Sequence, residues 1–253
     1  MSIALATICT DGLVVCADTL VTVGEHVKYH ERKVSQIPYK LLSKAVVLSY
    51  AGSPEKMRVI NQELLTRLCG PDDKTAQEIG QHFRDVLNDA FPGKTKENHQ
   101  ILFGFTEAKN FFLFKSRDKE IFPVDAWDCA GWGDSPLVRY LARIFLEGSV
   151  HLPVCMAVPI CNYIIAQAKK YVPYCGGDTN LLVLTPEGKV HAQIQNLQID
   201  ALCGRIEDGI NGMLTSAIMY QLGEEQCLRL IGELRALIEQ STAIFNSFIP
   251  PLP

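Results

Sequence analysis

Apolar residues follow two rhythms along the chain. At 3–9 (IALATIC) and 13–19 (LVVCADT) they run almost without alternation, and Thr10-Asp11-Gly12 separates the two runs. Near-continuous Val, Ile, Leu and Ala is the pattern of strands covered on both faces, so the pair is predicted as a buried hairpin. Residues 26–40 are polar and basic, with short strands expected around Lys33-Val34. A third apolar run, KAVVLSYA at 44–51, ends at Gly52-Ser53-Pro54. Ser53 suits a helix N-cap and Pro54 a first helical residue. The rhythm then becomes helical. From Pro54 to about Leu68, the residues Met57, Ile60, Leu64, Leu65 and Leu68 would line one face. From about Thr75 to Phe91, Ile79, Phe83, Val86, Leu87 and Phe91 would do the same.

Strand patterns return at 100–106, 110–116, 120–124 and 126–131. Helical patterns follow at 135–147 and 154–171. Two further strands, 180–185 and 189–195, are joined by Pro186-Glu187-Gly188, and the chain beyond 199 reads as helical with a break near Gly223. This order is neither strand–helix alternation nor two segregated halves. Two packed sheets with helices outside would bury all the apolar strands. The expected class is therefore α+β, a four-layer αββα sandwich with a helical C-terminal extension. No low-complexity linker divides the sequence, so residues 1–253 read as one domain, with a core at about 2–195 and C-terminal helices at about 199–248. Within that extension Leu202, Ile206, Ile210 and Leu214 fall at near-helical spacing, which suits internal packing or subunit contacts.

Composition narrows the function classes. Hydrophobic residues make up 47% of the 253 and charged residues 21%, with a formal net charge of −4. That balance argues against a general binder of nucleic acid or anionic membrane, both of which need a basic surface. The longest apolar stretch, VHLPVCMAVPICNYIIA, is interrupted by His151, Pro153, Pro159 and Asn162. A membrane span needs roughly 20 cleaner residues, so the stretch is expected to be a buried helix. The N-terminus lacks the basic flank of a signal peptide. Nine cysteines are scattered without a CxxC pair, which fits free thiols in a reducing, cytoplasmic compartment. His26 and His30 have no third ligand indicated, and neither a phosphate loop nor a dinucleotide fingerprint is present. No metal or organic cofactor is expected.

Four residues carry candidate chemistry: Ser2, Asp18, Lys33 and Gly52. Singly, each has a plain explanation. A second-position Ser permits Met removal, a strand-end Asp caps, a Lys is solvated, and a Gly serves a turn. Together they describe a reactive set. Loss of Met1 would leave a free α-amine, with an ordinary pKa of about 7.7–8.0, on the same residue as a hydroxyl. Such an amine can be neutral near pH 7 and act as base for its own side chain. Lys33 would lower the pKa of both groups, Asp18 would hold Lys33 charged and oriented, and the Gly52 N–H would face an oxyanion.

These residues resemble the proteasome β-subunit family of N-terminal-nucleophile (Ntn) hydrolases, including the bacterial proteasome-like peptidases. Ser2 opens the chain, Gly12 makes the turn, and LVVCADT ends an apolar strand in Asp18, sixteen residues after Ser2. Lys33 in RKV matches the family lysine, one residue closer to Asp18 than usual. YAGSPEKM matches the strand–Ala–Gly–helix junction and assigns Gly52 as the oxyanion glycine. CAGWGDSPLVRYLAR and YCGGDTNLLVLTPEGKV match later motifs, in order, to about residue 195. Three positions depart from the family's supporting residues: Trp132 replaces a Ser between two glycines, Val172 an Asp, and Cys175 a Ser. The nucleophile is Ser where the family usually has Thr. Cys175 is also a candidate thiol nucleophile, or a small buried stand-in for that Ser.

The resemblance implies a cytoplasmic proteasome-like peptidase, a hydrolase related to the threonine-type peptidases. It would act on a peptide or unfolded protein, assemble as a homo-oligomeric ring or stack, and be served by a separate unfoldase. Two other readings stay open: a non-catalytic proteasome-like assembly subunit, and an Ntn amidase acting on a small amide.

Overall fold

The computed structural model describes residues 2–23, 27–40, 44–93, 99–131, 134–147 and 152–192, together with Gly204, Glu207, Asp208 and Arg229. Contacts partition the chain into residues 1–193 and residues 194–253. In the second unit the four described residues are helical; Leu202, Ile206, Ile210, Leu214 and the predicted break near Gly223 lie outside the described residues.

Among its described residues the first unit is α+β, with four α-helices and antiparallel sheets. The N-terminal hairpin forms β1 (Ile3–Ile8) and β2 (Leu13–Asp18). A short ribbon follows, β3 (Leu20–Val23) with β4 (Val27–His30), then β5 (Val34–Tyr39) and β6 (Lys44–Ala51). Helices α1 (Pro54–Leu68) and α2 (Ala76–Ala90) lead to β7 (Gln100–Glu107), β8 (Asn110–Arg117), β9 (Glu120–Val124) and β10 (Trp127–Gly131). Helix α3 (Pro136–Ala142) passes into a π-helical turn at Arg143–Glu147, and α4 (Val154–Tyr171) precedes β11 (Thr179–Leu184) and β12 (Val190–Ala192).

One five-stranded sheet has the order β10-β1-β2-β11-β12 and the other β5-β6-β7-β8-β9. The hairpin is thus internal to its sheet, flanked by strands from much later in the chain. Its inward residues Ala4, Ala6, Leu13, Val15 and Ala17 meet Val34, Val47, Leu102 and Leu113 of the second sheet. On the far side of that second sheet, Tyr39, Leu48 and Phe103 pack with Met57, Ile60 and Leu64 of α1 and Phe83 and Leu87 of α2. Helix α4 covers β1, β2 and β11. Covering both faces of the hairpin explains its unbroken apolar runs.

Local chemistry sets the helix limits. Ser53 Oγ accepts from Lys56 N at 3.3 Å, and Pro54 follows it. Thr75 and Glu78 form a reciprocal capping box: Glu78 N donates to Thr75 Oγ1 at 3.2 Å and Thr75 N donates to Glu78 Oε2 at 2.8 Å. Pro153 is the N-cap residue of helix α4, and its side chain cannot cap. Asp11 in the hairpin turn supplies the acceptor instead, taking Val154 N at 2.7 Å.

Three expectations need correction. Leu65 is exposed, because Met57, Ile60, Leu64 and Leu68 already fill the i, i+3, i+4 stripe and Leu65 falls beside it. Residues 27–40 hold two strands, Val27–His30 and Val34–Tyr39, which lie on either side of Lys33 and extend well beyond the short strands expected around it. β5 is an edge strand with Pro38 in it, and its burial is mixed, with Val34, Ile37 and Tyr39 buried and Gln36 exposed. The helix at 135–147 widens to a π turn after Ala142.

Candidate active site

The hairpin register brings the first candidates together. Ala4 pairs with Ala17 across β1 and β2, which sets Ile3 opposite Asp18. Ile3 N donates to Asp18 Oδ1 at 3.1 Å. Ser2, the residue before it, is 3% exposed. The Ser2–Asp18 spacing therefore follows from a two-strand pairing closed by the turn at Gly12.

Asp18 is fully buried and accepts three donors. Besides Ile3 N, Lys33 Nζ donates to Oδ1 at 2.7 Å and Gly176 N to Oδ2 at 3.0 Å. Lys33 Nζ also donates to the Leu20 carbonyl. Both members of the Lys33–Asp18 pair are sealed from solvent. Burial pulls the Lys33 ammonium below the ordinary lysine pKa, and the Asp18 carboxylate opposes that shift.

Lys33 is tied to the fourth candidate through β6. Its carbonyl accepts from Tyr50 N at 3.1 Å, and Gly52 follows two residues later, with φ +146°. Gly131, at the end of β10, pairs with Ile3. A Cβ at Gly131 would lie 2.3 Å from the Ser2 carbonyl oxygen and 2.5 Å from Ala51 Cβ. Only a glycine lets Ser2 and the residue before Gly52 approach so closely. Asp18 thus ties Lys33 to Ile3, the residue after Ser2, and Gly131 lies against both the Ser2 carbonyl and Ala51, the residue before Gly52.

Neighbouring residues complete the surroundings. Thr19 Oγ1 accepts from Asp178 N at 2.8 Å and lies 3.1 Å from His30 Nδ1. Asp178 thereby shapes the turn after Gly176-Gly177. Val172 ends α4 and is 7% exposed. Cys175 is equally buried, and burial pushes its thiol up to about 12, so it is protonated at neutral pH. That protonation favours the buried stand-in over the thiol nucleophile. Trp132, His26 and His151 lie outside the described residues. Among the described residues, no group of three His, Cys, Asp or Glu is placed to hold a metal, and no helix is long and apolar enough to cross a membrane.

Two features escape the sequence. Gly176 N bonding to Asp18 joins segments far apart in the chain. The His99 ring packs on Gly52 with no motif around it.

No family model and no curated protein matches the chain. Solved structures do. A mutant of Anbu from Hyphomicrobium sp. strain MC1 superposes with a TM-score of 0.70 at 13% identity, covering 85% of this chain and 97% of its own. The fold is that of Anbu. Anbu from Yersinia bercovieri, described as an ancestral β-subunit, gives 0.70 at 13% identity over 87% of this chain and 98% of its own. Anbu from Pseudomonas aeruginosa, solved as a helical assembly, gives 0.64 at 16% identity over 84% and 95%.

Proposed function

We propose that the chain is a proteasome-like peptidase of the Ntn-hydrolase superfamily, with Ser2 as its nucleophile once Met1 is removed. The observation that carries this reading is the buried Asp18 carboxylate. It holds the backbone N–H next to Ser2 and the Lys33 ammonium on a single oxygen. The likeness to Anbu, a proteasome-like protein, supports it at the level of fold. Helices α1 and α2 on one sheet and α4 on the other are read as the outer layers of an αββα sandwich.

In the proposed reaction Ser2 Oγ attacks a peptide carbonyl while the Ser2 α-amine takes the hydroxyl proton. The Lys33 charge, oriented by Asp18, lowers the cost of forming the alkoxide. The Gly52 N–H donates to the tetrahedral oxyanion. The amine then protonates the leaving nitrogen, and water hydrolyses the resulting acyl-ester. The step needs neither metal nor organic cofactor. Peptide or unfolded protein is the proposed substrate, a homo-oligomeric ring or stack the proposed assembly, and the cytoplasm the proposed location. The helical assembly solved for the Pseudomonas protein supports an oligomer. A separate unfoldase would deliver folded substrates.

Intact-mass measurement and a Ser2→Ala variant test the reading together. The expected results are a mass lacking Met1, and loss of peptide turnover and of β-lactone or boronate labelling in Ser2→Ala. A retained Met1 defeats the mechanism, because an acylated nitrogen cannot serve as base. So does a Ser2→Ala protein that labels and turns over normally.

A further inference from the structure

The His99 ring occupies the space that any side chain at Gly52 would need. A Cβ there would stand 2.3 Å from His99 Cδ2, 2.8 Å from Cγ and 3.0 Å from Nε2. His99 is 1% exposed and immediately precedes β7. Its backbone is fixed on Asp118: His99 N donates to Asp118 Oδ1 at 3.0 Å, and Asp118 N donates to the His99 carbonyl at 2.7 Å. The ring lies parallel to Tyr50, with centroids 6.1 Å apart, and tilts against Phe91 at 5.3 Å. Nε2 is 3.4 Å from the Ser53 carbonyl oxygen, within reach of N–H donation. The same carbonyl accepts Met57 N, an early bond of α1, at 3.1 Å. One imidazole therefore bears on Gly52 through its carbon edge and on Ser53 through its nitrogen.

We infer that His99 is a positioning residue for the Gly52 N–H, an inference that rests on Gly52 as the oxyanion donor. Glycine has the widest backbone freedom of any residue. Rotation about its N–Cα and Cα–C bonds would turn the 51–52 amide relative to the helix start. A donor that must reorient as charge develops gives up much of its stabilising effect. The His99 wedge, braced by Tyr50 and Phe91 and bonded to Ser53, holds the junction in one conformation before substrate arrives. Its effect on the reaction passes through Gly52.

The test compares the full chain with His99→Ala and His99→Gln, counting active sites by β-lactone labelling. His99→Ala removes both the wedge and the N–H; kcat per labelled site should fall about 10- to 100-fold, a fraction to most of the loss from deleting one such donor, with KM within about twofold. His99→Gln keeps an amide N–H and side-chain bulk near Ser53 and should recover most of kcat. A merely structural role would reduce the number of labelled sites and the Tm but leave kcat per site unchanged. That result, or equal losses in Ala and Gln, overturns the inference. If the wild-type chain has no turnover, the peptidase reading fails separately. The positioning is then judged on the Gly52 amide cross-peak in 15N–1H spectra: a shift in His99→Ala supports it, and an unchanged peak overturns it.

Discussion

Asp18 is the residue on which the site depends electrostatically. A buried ammonium is costly unless it is paired, and Lys33 is fully buried with Asp18 as its carboxylate partner. Asp18→Asn removes the charge but keeps the shape. We expect it to lower unfolding free energy by about 3–5 kcal/mol, because Lys33 is left in the interior uncompensated. Replacing both partners with apolar residues, as in Asp18→Leu with Lys33→Met, should recover much of that loss, since the desolvation cost disappears with the charges. Urea unfolding of Asp18→Leu, Lys33→Met and the double variant completes the cycle. A single variant within about 1 kcal/mol of wild type would mean that water or another group reaches Lys33. Activity should vanish in every one of these variants, so stability and function separate: the double variant is stable and inert. The Asp18–Lys33 pair was legible in the sequence because a carboxylate ending an apolar strand demands a partner. His99 was not legible. Its contact with Gly52 joins segments separated by two helices, and nothing in the local pattern marks a histidine before a strand as a wedge.

At the scale of elements, β10 is the strand that frames the N-terminus. Gly131 has φ +65°, and its missing side chain admits the Ser2 carbonyl. Gly131→Ala should therefore cost about 1–3 kcal/mol from backbone strain alone. It should also displace β1 relative to β6, and so reduce turnover far more than it reduces Tm. Gly70 is the control, since an added Cβ there meets nothing within 4 Å; Gly70→Ala should stay within about 0.5 kcal/mol. If the two variants behave alike, the close approach at Gly131 does not govern the position of Ser2. A network of charges fixes the same region. Lys115 Nζ on β8 lies 3.3 Å from both Asp128 Oδ1 on β10 and Asp134 Oδ1, and Arg139 of α3 donates to Asp134 at 2.5 Å. Lys115→Met should loosen β10 against β8, seen as faster amide exchange along Trp127–Gly131. Elements with strong local punctuation were the legible ones. Helix α1 runs from Pro54 to Leu68 as its cap and stripe predict. β5 was obscured because an edge strand is half polar. The insertion of β1 between β10 and β2 is a long-range pairing that periodicity alone does not encode.

For the whole molecule, burial of titratable groups sets a limit at alkaline pH. A hydrogen bond with Cys16, and then burial, raises the Cys161 thiol pKa; burial raises Cys9 and Cys129 and takes Cys175 from 9.0 up to about 12. It also raises Tyr50 and takes Tyr39 from 10.0 up to about 12. In the unfolded chain these thiols and phenols ionise near their ordinary values, while in the folded chain they hold their protons to higher pH. Their contribution to stability is complete below about pH 8.5, the ordinary thiol range, and is lost as pH rises towards the folded values. Each group ionised only in the unfolded state gives a slope of about −1.4 kcal/mol per pH unit. Lys33 has the opposite sign. Its pKa is lowered on folding, so the unfolded chain binds its proton more tightly and stability rises with pH below 10.5. One lysine opposes several thiols and phenols, and the sum should be a steep loss of stability between about pH 9 and 11. Urea midpoints taken under reducing conditions from pH 7.5 to 11 check this. Cys129→Ala removes one contributor and should make the decline shallower without moving its onset. A midpoint that stays level or climbs across that range would mean that the buried thiols and phenols titrate as they do in the unfolded chain.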